Sequence, residues 1–241
     1  MKQAKWIRWA HRWVGLWFSV VALMASASGL IHLWMSHTQP PPPSGPPSVA
    51  VIAMDQVTIT PAQAAATAME KTASSGVTQM PLRMIEGEPW YQIFLMGRQK
   101  PVYVHAQKGL IDEQCDERFA KEIAAKALAT KQLEQAKYLT EFDREYIGIF
   151  RILPVYRFDA HDEQGNRVYV STVTGSVTRA TDDAKQWEAN VFSLLHKWMF
   201  IPNKNARNYS LGIATFGIFV TSLLGLWLFW VTRTKSRKTS R

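Results

Sequence analysis

The chain has a single cysteine, Cys115, in 241 residues. An internal disulfide and a CxxC redox pair are therefore excluded, and a free thiol or a bridge between two copies stays open. It has no glycine-rich phosphate loop and no dinucleotide fingerprint, so the sequence offers no nucleotide-binding motif. It also shows no convincing pair of carboxylates for general acid–base work, because Glu86 and Glu88 flank Gly87 as a solvated turn would. Acid is absent from both ends. Residues 1–12 carry Lys2, Lys5, Arg8 and Arg12, and residues 233–241 carry Arg233, Lys235, Arg237, Lys238 and Arg241. These tails account for the whole net charge of +9, and the chain between them is neutral. A neutral middle argues against nucleic acid as a partner.

Long apolar runs are missing from the middle and present at both ends. Trp13 to Met35 contains no acid or base except His32, and Tyr209 to Thr232 contains no ionisable group but its tyrosine. Each run exceeds the roughly 20 residues a helix needs to cross about 30 Å of hydrocarbon. Residues 13–35 and 209–232 are therefore expected to be transmembrane helices, and the basic tails 1–12 and 233–241 to stay cytoplasmic by the positive-inside rule. Residues 36–208 then lie across the membrane. Ala25-Ser26-Ala27 has the small-x-small form of a signal-peptidase site, but the run around it is too long and too rich in tryptophan for a signal peptide.

Residues 36–49 form a proline-rich linker, extended and semi-rigid. Beyond it lies a repeat. VYVHAQKGLI (102–111) and VYVSTVTGSV (168–177) share V-Y-V, four residues, Gly, one residue and then a β-branched residue at an offset of 66; EPWYQIF (88–94) and LPVYRFD (153–159) share Pro-x-Tyr at an offset of 65. A helical pattern precedes each set: TPAQAAATAMEKT (60–72), with Thr60 as N-cap and Pro61 at the first helical position, and DERFAKEIAAKAL (116–128). Each unit is then a helix followed by antiparallel strands. The expected fold is an α+β region of two such units, 50–115 and 116–185, anchored by two transmembrane helices.

The repeated unit resembles a PepSY domain, and AHRWVGLW (10–17), SGLIHLW (28–34) and LLHKWMF (194–200) resemble the PepSY-associated transmembrane proteins. The order of these motifs covers nearly the whole chain. One departure is plain: the family's turn usually opens with Asp, whereas here the two turns open His105-Ala106 and Ser171-Thr172. The resemblance implies a protein of the bacterial inner membrane with a periplasmic central region. It implies either of two functions. One is passage of electrons through membrane-bound haem to a periplasmic acceptor such as a ferric siderophore, making the chain a component of a haem-dependent reductase. The other is a non-catalytic anchored module for peptidase inhibition or sensing.

The histidines bear on that choice. A histidine in a membrane helix is costly unless paired or ligating. His32 lies about one turn from the outer end of its run, where an interfacial residue that merely snorkels is the bland alternative. His196 lies in QWEANVFSLLHKWMFIP (186–202), an expected interfacial amphipathic helix, with Phe192 and Phe200 at spacing four on either side. Two helix histidines on one membrane face suit the axial ligation of a b-type haem iron, so His32 and His196 are the candidate ligands. His11, 21 residues before His32 and about 31 Å away along a helix, serves the opposite face and needs a ligand from another subunit. Small residues (Gly15, Ser19, Ala22, Ser26, Gly29; Ser210, Ala214, Gly217, Thr221, Gly225) form a stripe on each run, which suits close helix packing or room for a porphyrin. Two helices make a poor haem cage alone, so a homodimer or another membrane subunit is implied. His37 is a linker residue, and His105 and His161 are expected to be solvated surface histidines. DEQCDER (112–118) matches no metal loop and is expected to cap a helix.

Overall fold

A computed structural model describes residues 2–39 and 51–233; the linker from residue 40 to 50 and the basic tail from 234 lie outside the described residues. In chain order the elements are α1 (Lys2–Thr38), α2 (Pro61–Thr72), β1 (Val77–Gln79), β2 (Leu82–Ile85), β3 (Glu88–Leu95), β4 (Val102–His105), α3 (Cys115–Leu128), β5 (Leu133–Leu139), β6 (Val155–Ala160), β7 (Arg167–Ser171), β8 (Ser176–Thr181), α4 (Asp183–Leu195) and α5 (Lys204–Arg233). They form two compact units, residues 1–40 with 185–241 and residues 41–184.

The first unit is helical. Both α1 and α5 are long and apolar enough to cross a membrane, and neither breaks at its glycines, since a helix satisfies its own backbone where no water can. α1 runs on through the basic N-terminal residues. α5 begins before the apolar run because Asn203 caps it, its Oδ1 accepting from the Ala206 N–H at 3.0 Å. α4 is shorter than the expected 186–202. Past Leu195 the Lys197 and Met199 N–H groups turn back to the carbonyls of Phe192 and Ser193, at 3.4 and 3.1 Å, and Trp198 takes a φ of 51°. A left-handed residue after such bonds ends a helix.

α1 and α5 pack antiparallel. A Cβ on Gly225 would come within 3.1 Å of His11 Cε1 and one on Gly15 within 3.3 Å of Thr221 Cγ2; one on Gly217 would overlap the Phe18 ring. The seam is thus knob against notch rather than small residue on small residue. It also departs from the expected stripe toward the end of α1, where Ser28 and Met35 are buried while Ser26 and Gly29 stay exposed.

The second unit contains two helix-plus-sheet repeats. Thr60 accepts from the Gln63 N–H and the Gln63 side chain accepts from the Thr60 N–H, the reciprocal cap that starts α2 with Pro61 in its first turn. β1 and β2 behave as one strand along the same edge of β3, from Gln79 opposite Phe94 to Ile85 opposite Glu88. Pro81 interrupts it, having no N–H to donate, though its carbonyl still accepts from Gln92 N at 2.9 Å. β4 covers the other edge of β3. The second sheet has the order β5-β6-β7-β8, all antiparallel. The sequence repeat keeps its register: Tyr91 faces Val104 as Tyr156 faces Val170, and the lone bridge Val104 to Ile111 matches the pair Val170 and Val177. The turns match too, Gly109 N–H bonding to His105 O and Gly175 N–H to Ser171 O, both at 2.9 Å. Both glycines have positive φ, 70° and 66°, which is why the turn needs them.

α2 buries Ala64 and Ala68 against Tyr91, Ile93, Leu95 and Val104. α3 packs on both sheets. Ala120 and Ala124 meet Tyr156, Phe158, Val168 and Val170, and Cys115 and Phe119 meet Ile85, Trp90 and Tyr103. The first sheet is therefore buried on both faces, and β3 and β4 are apolar nearly throughout. This placement corrects the expectation for His105, which is buried rather than solvated, at 2% exposure. Its Nδ1 accepts from the Gln107 and Lys108 N–H groups at 3.1 and 3.3 Å, and its Nε2–H donates to Glu88 at 3.1 Å. His105 thus ties the turn through its ring nitrogen. His161 is exposed, 3.6 Å from Glu134, and Asp112 caps the approach to α3 by accepting from Gln114 N–H at 2.8 Å. Burial pushes the Cys115 thiol up to about 12, so it stays protonated and unreactive in the core.

Candidate functional site

The site is built from the end of α1, from α4 and from the turn after it. Ser28 and His32 are one helical turn apart on α1, and Glu188, Phe192 and His196 recur at spacing four, so each set shares a face. The structure brings the two sets together. His32 Nδ1 bonds to the Glu188 carboxylate. Ser28 Oγ lies 3.2 Å from His196 Nδ1. Phe192 stacks on His196 with ring centroids 4.6 Å apart and lies 6.0 Å from His32.

The partners bear on the ring orientations. A carboxylate only accepts, so His32 donates from Nδ1. Ser28 Oγ can donate to the Ala25 carbonyl at 2.8 Å and accept from His196 Nδ1. At the other end of the helix pair, His11 Nδ1 lies 3.1 Å from the Thr221 carbonyl, another pure acceptor. All three histidines are therefore held at Nδ1 by an oxygen. Such an outer partner fixes ring orientation and raises ligand basicity at metal-bound histidines. His32 is 61% exposed in its side chain and Glu188 17%, and His196 is exposed while His11 is half-buried.

Imidazoles oriented through Nδ1 with an aromatic ring beside them are the type of donor an axially ligated haem iron takes. A Cβ on Gly29 would meet nothing within 4 Å, so space is open near His32. His11 lies apart from the other two, at the far end of α1 against Gly225. His37 belongs to the last turn of α1 and is exposed. Among the described residues no group of three or more His, Cys, Asp or Glu side chains is placed to hold a metal ion.

Two residues of this site escaped the sequence. Glu188 continues the row Phe192, His196, Phe200 one step backward, so the spacing already contained it. Ser28 carried no signal apart from its place one turn before His32, because the stripe of small residues pointed to Ser26 and Gly29 instead.

A family model described as the PepSY-associated TM region matches residues 8–241. No curated protein and no solved structure matches the chain.

Proposed function

Starting from a chain that belongs to the PepSY-associated transmembrane family, we propose that it is a haem-carrying component of the bacterial inner membrane that passes electrons to a periplasmic acceptor such as a ferric siderophore. One observation carries this reading: three histidines on or beside the apolar helices are each held at Nδ1 by an oxygen, which leaves the Nε2 edge facing elsewhere. A chance histidine has no need of that uniform choice. His32 and His196 are the axial pair at one face, and His11 serves the other with a ligand from a second subunit. A b-type haem, when bound, supplies a one-electron carrier. Glu188 and Ser28 orient the two imidazoles. The exposed rings of His32 and His196 leave the cage to be completed by a second copy or another membrane subunit.

In this reading both termini are cytoplasmic and residues 36–208 periplasmic, and the two helix-plus-sheet repeats are PepSY-like units. Support for that sidedness is the placement of all surplus positive charge in the two tails.

The alternative is an anchored, non-catalytic binding or regulatory module. Phe192 favours it, since its ring already covers one face of His196 and the two imidazoles are satisfied on Nδ1 without any ligand. Haem content decides between them. His32→Ala and His196→Ala should each lose the haem held by the wild-type protein while inserting normally, and His161→Ala should keep it. Equal haem content in all three variants would refute the assignment.

A further inference from the structure

The two repeats of the second unit differ at one edge. In the second repeat, β8 runs back along β7 from Ser176 opposite Ser171 to Thr181 opposite Arg167. The matching residues of the first repeat, 110–115, make the single bridge from Ile111 to Val104, through His105 N–H to Leu110 O at 2.8 Å and Asp112 N–H to Tyr103 O at 3.2 Å. They then turn into α3. The end of β4 near Lys100 is left without the covering strand, and a cavity of about 320 Å³ opens there between α2, the β3–β4 connection and the start of α3.

The charges around this cavity do not cancel. Of its acids, Asp112 is bound to Arg118 at 2.7 Å, and Asp116 accepts from Tyr103 and Tyr156 at 2.7 and 2.8 Å. Only Glu113 has no partner among the described residues. Its cations Lys71, Arg98 and Lys100 form no ion pair among the described residues. Lys100 is held in place by aromatic faces, its Nζ 4.1 Å from the Tyr138 ring centroid and 5.5 Å from that of Tyr156. Beneath it, the Tyr138 hydroxyl is buried with no hydrogen-bond partner among the described residues. Burial, with Asp116 nearby, pushes that phenol up to about 12, so it remains an unused donor. Like charges lining one cavity repel one another, and an anion between them relieves that repulsion.

We propose that this cavity binds a small organic anion carrying at least two oxyanion groups, carboxylate or phosphate, held by Lys71, Arg98 and Lys100. Three cations without an ion pair, against the charges of Glu113 and Asp116, leave the lining net positive. Pro101 sets the type of occupant, because a residue without an N–H cannot extend the β4 ladder to an added peptide strand, and the occupant is held by side chains instead. The proposal does not rest on haem.

Calorimetric titration of the full-length protein in detergent micelles tests it, with citrate as the carboxylate probe, pyrophosphate as the phosphate probe, and sodium chloride at matched ionic strength as the reference. Saturable binding of either probe is expected, and whichever binds more tightly identifies the oxyanion. Lys71→Gln, Arg98→Gln and Lys100→Gln should each weaken it by about tenfold or more, whereas Lys131→Gln, at an exposed lysine away from the cavity, should not. Since Lys71 and Arg98 support no ion pair, their variants should melt as the wild type does, which separates lost binding from lost folding; Lys100→Gln also loses its contact with the Tyr138 ring and is read only beside them. Absence of saturable binding by both probes, or unchanged affinity in all three cavity variants, would overturn the proposal.

Discussion

Asp116 joins the two repeats, and removing it should cost more than removing either of its partners. Its exposure is 4%. One carboxylate oxygen accepts from Tyr103 of the first sheet and the other from Tyr156 of the second; Gln92 extends the network by donating to Tyr103 Oη at 2.8 Å and to the Thr172 carbonyl at 2.9 Å. Burial, reinforced by the Asp116 charge, pushes both phenols well above their usual range, so both remain donors at all working pH values. Asp116→Ala strands two buried O–H groups. At ~1–3 kcal/mol for each unsatisfied buried donor, the loss is about 2–6 kcal/mol, a large share of the 5–15 kcal/mol typical of a domain. Tyr103→Phe or Tyr156→Phe removes one donor from a carboxylate that keeps the other, and each should cost about 1–2 kcal/mol. In the Asp116→Ala background the same Tyr→Phe changes should be neutral or stabilising, since they delete the stranded group. Pulse proteolysis of the detergent-solubilised full chain across a urea series, following protection of residues 51–184, reads these differences. Equal costs for Tyr→Phe with and without Asp116 would refute the network, because uncoupled residues add.

His105→Ala should destabilise the same region by about 1–2 kcal/mol by leaving two turn N–H groups without an acceptor, and His105→Asn, whose amide can still accept there and donate toward Glu88, should lose less; equal losses would show that the ring acts only by filling space. Burial pushes the Glu145 carboxyl up, but the Arg167 guanidinium at 2.6 Å and the Tyr169 hydroxyl at 2.8 Å outweigh it and hold it below its usual value of 4.5. A depressed carboxyl contributes stability above its unfolded value and loses it as pH falls through the folded one. Urea midpoints should therefore fall below about pH 4.5 for the wild type and fall less steeply for Glu145→Gln, and parallel curves for the two would contradict this. Alkaline phosphatase fused after Arg241 should be inactive in a bacterial host if the proposed sidedness, with both basic tails cytoplasmic, holds; an active fusion would refute the two-span topology.

Much of this architecture was legible because its signals are periodic. The offset of 66 that aligns Val104 with Val170 also aligns Ile111 with Val177, so the sequence repeat foretold a register and not only a composition. The two apolar runs announced α1 and α5, and Thr60 with Pro61 announced the start of α2. What escaped depends on three-dimensional neighbours. His105 follows V-Y-V on a strand whose two faces are both covered, one by α2 and one by α3, and nothing local reports a second cover. Ser28 rather than Ser26 is buried where the end of α1 meets His196, and Phe18 fits the notch at Gly217, neither of which a count of small residues can anticipate. Glu188 was missed at the site for a different reason: its row was read for aromatic neighbours, whereas its role is to accept a proton-bearing nitrogen from another helix.

The visible absorption spectrum of the full-length protein, made in haem-replete cells and purified in detergent, tests the central claim most directly. The account predicts the Soret and α bands of a low-spin b-type haem with two histidine ligands in the wild-type protein, lost in His32→Ala and in His196→Ala. A colourless wild-type protein would contradict it.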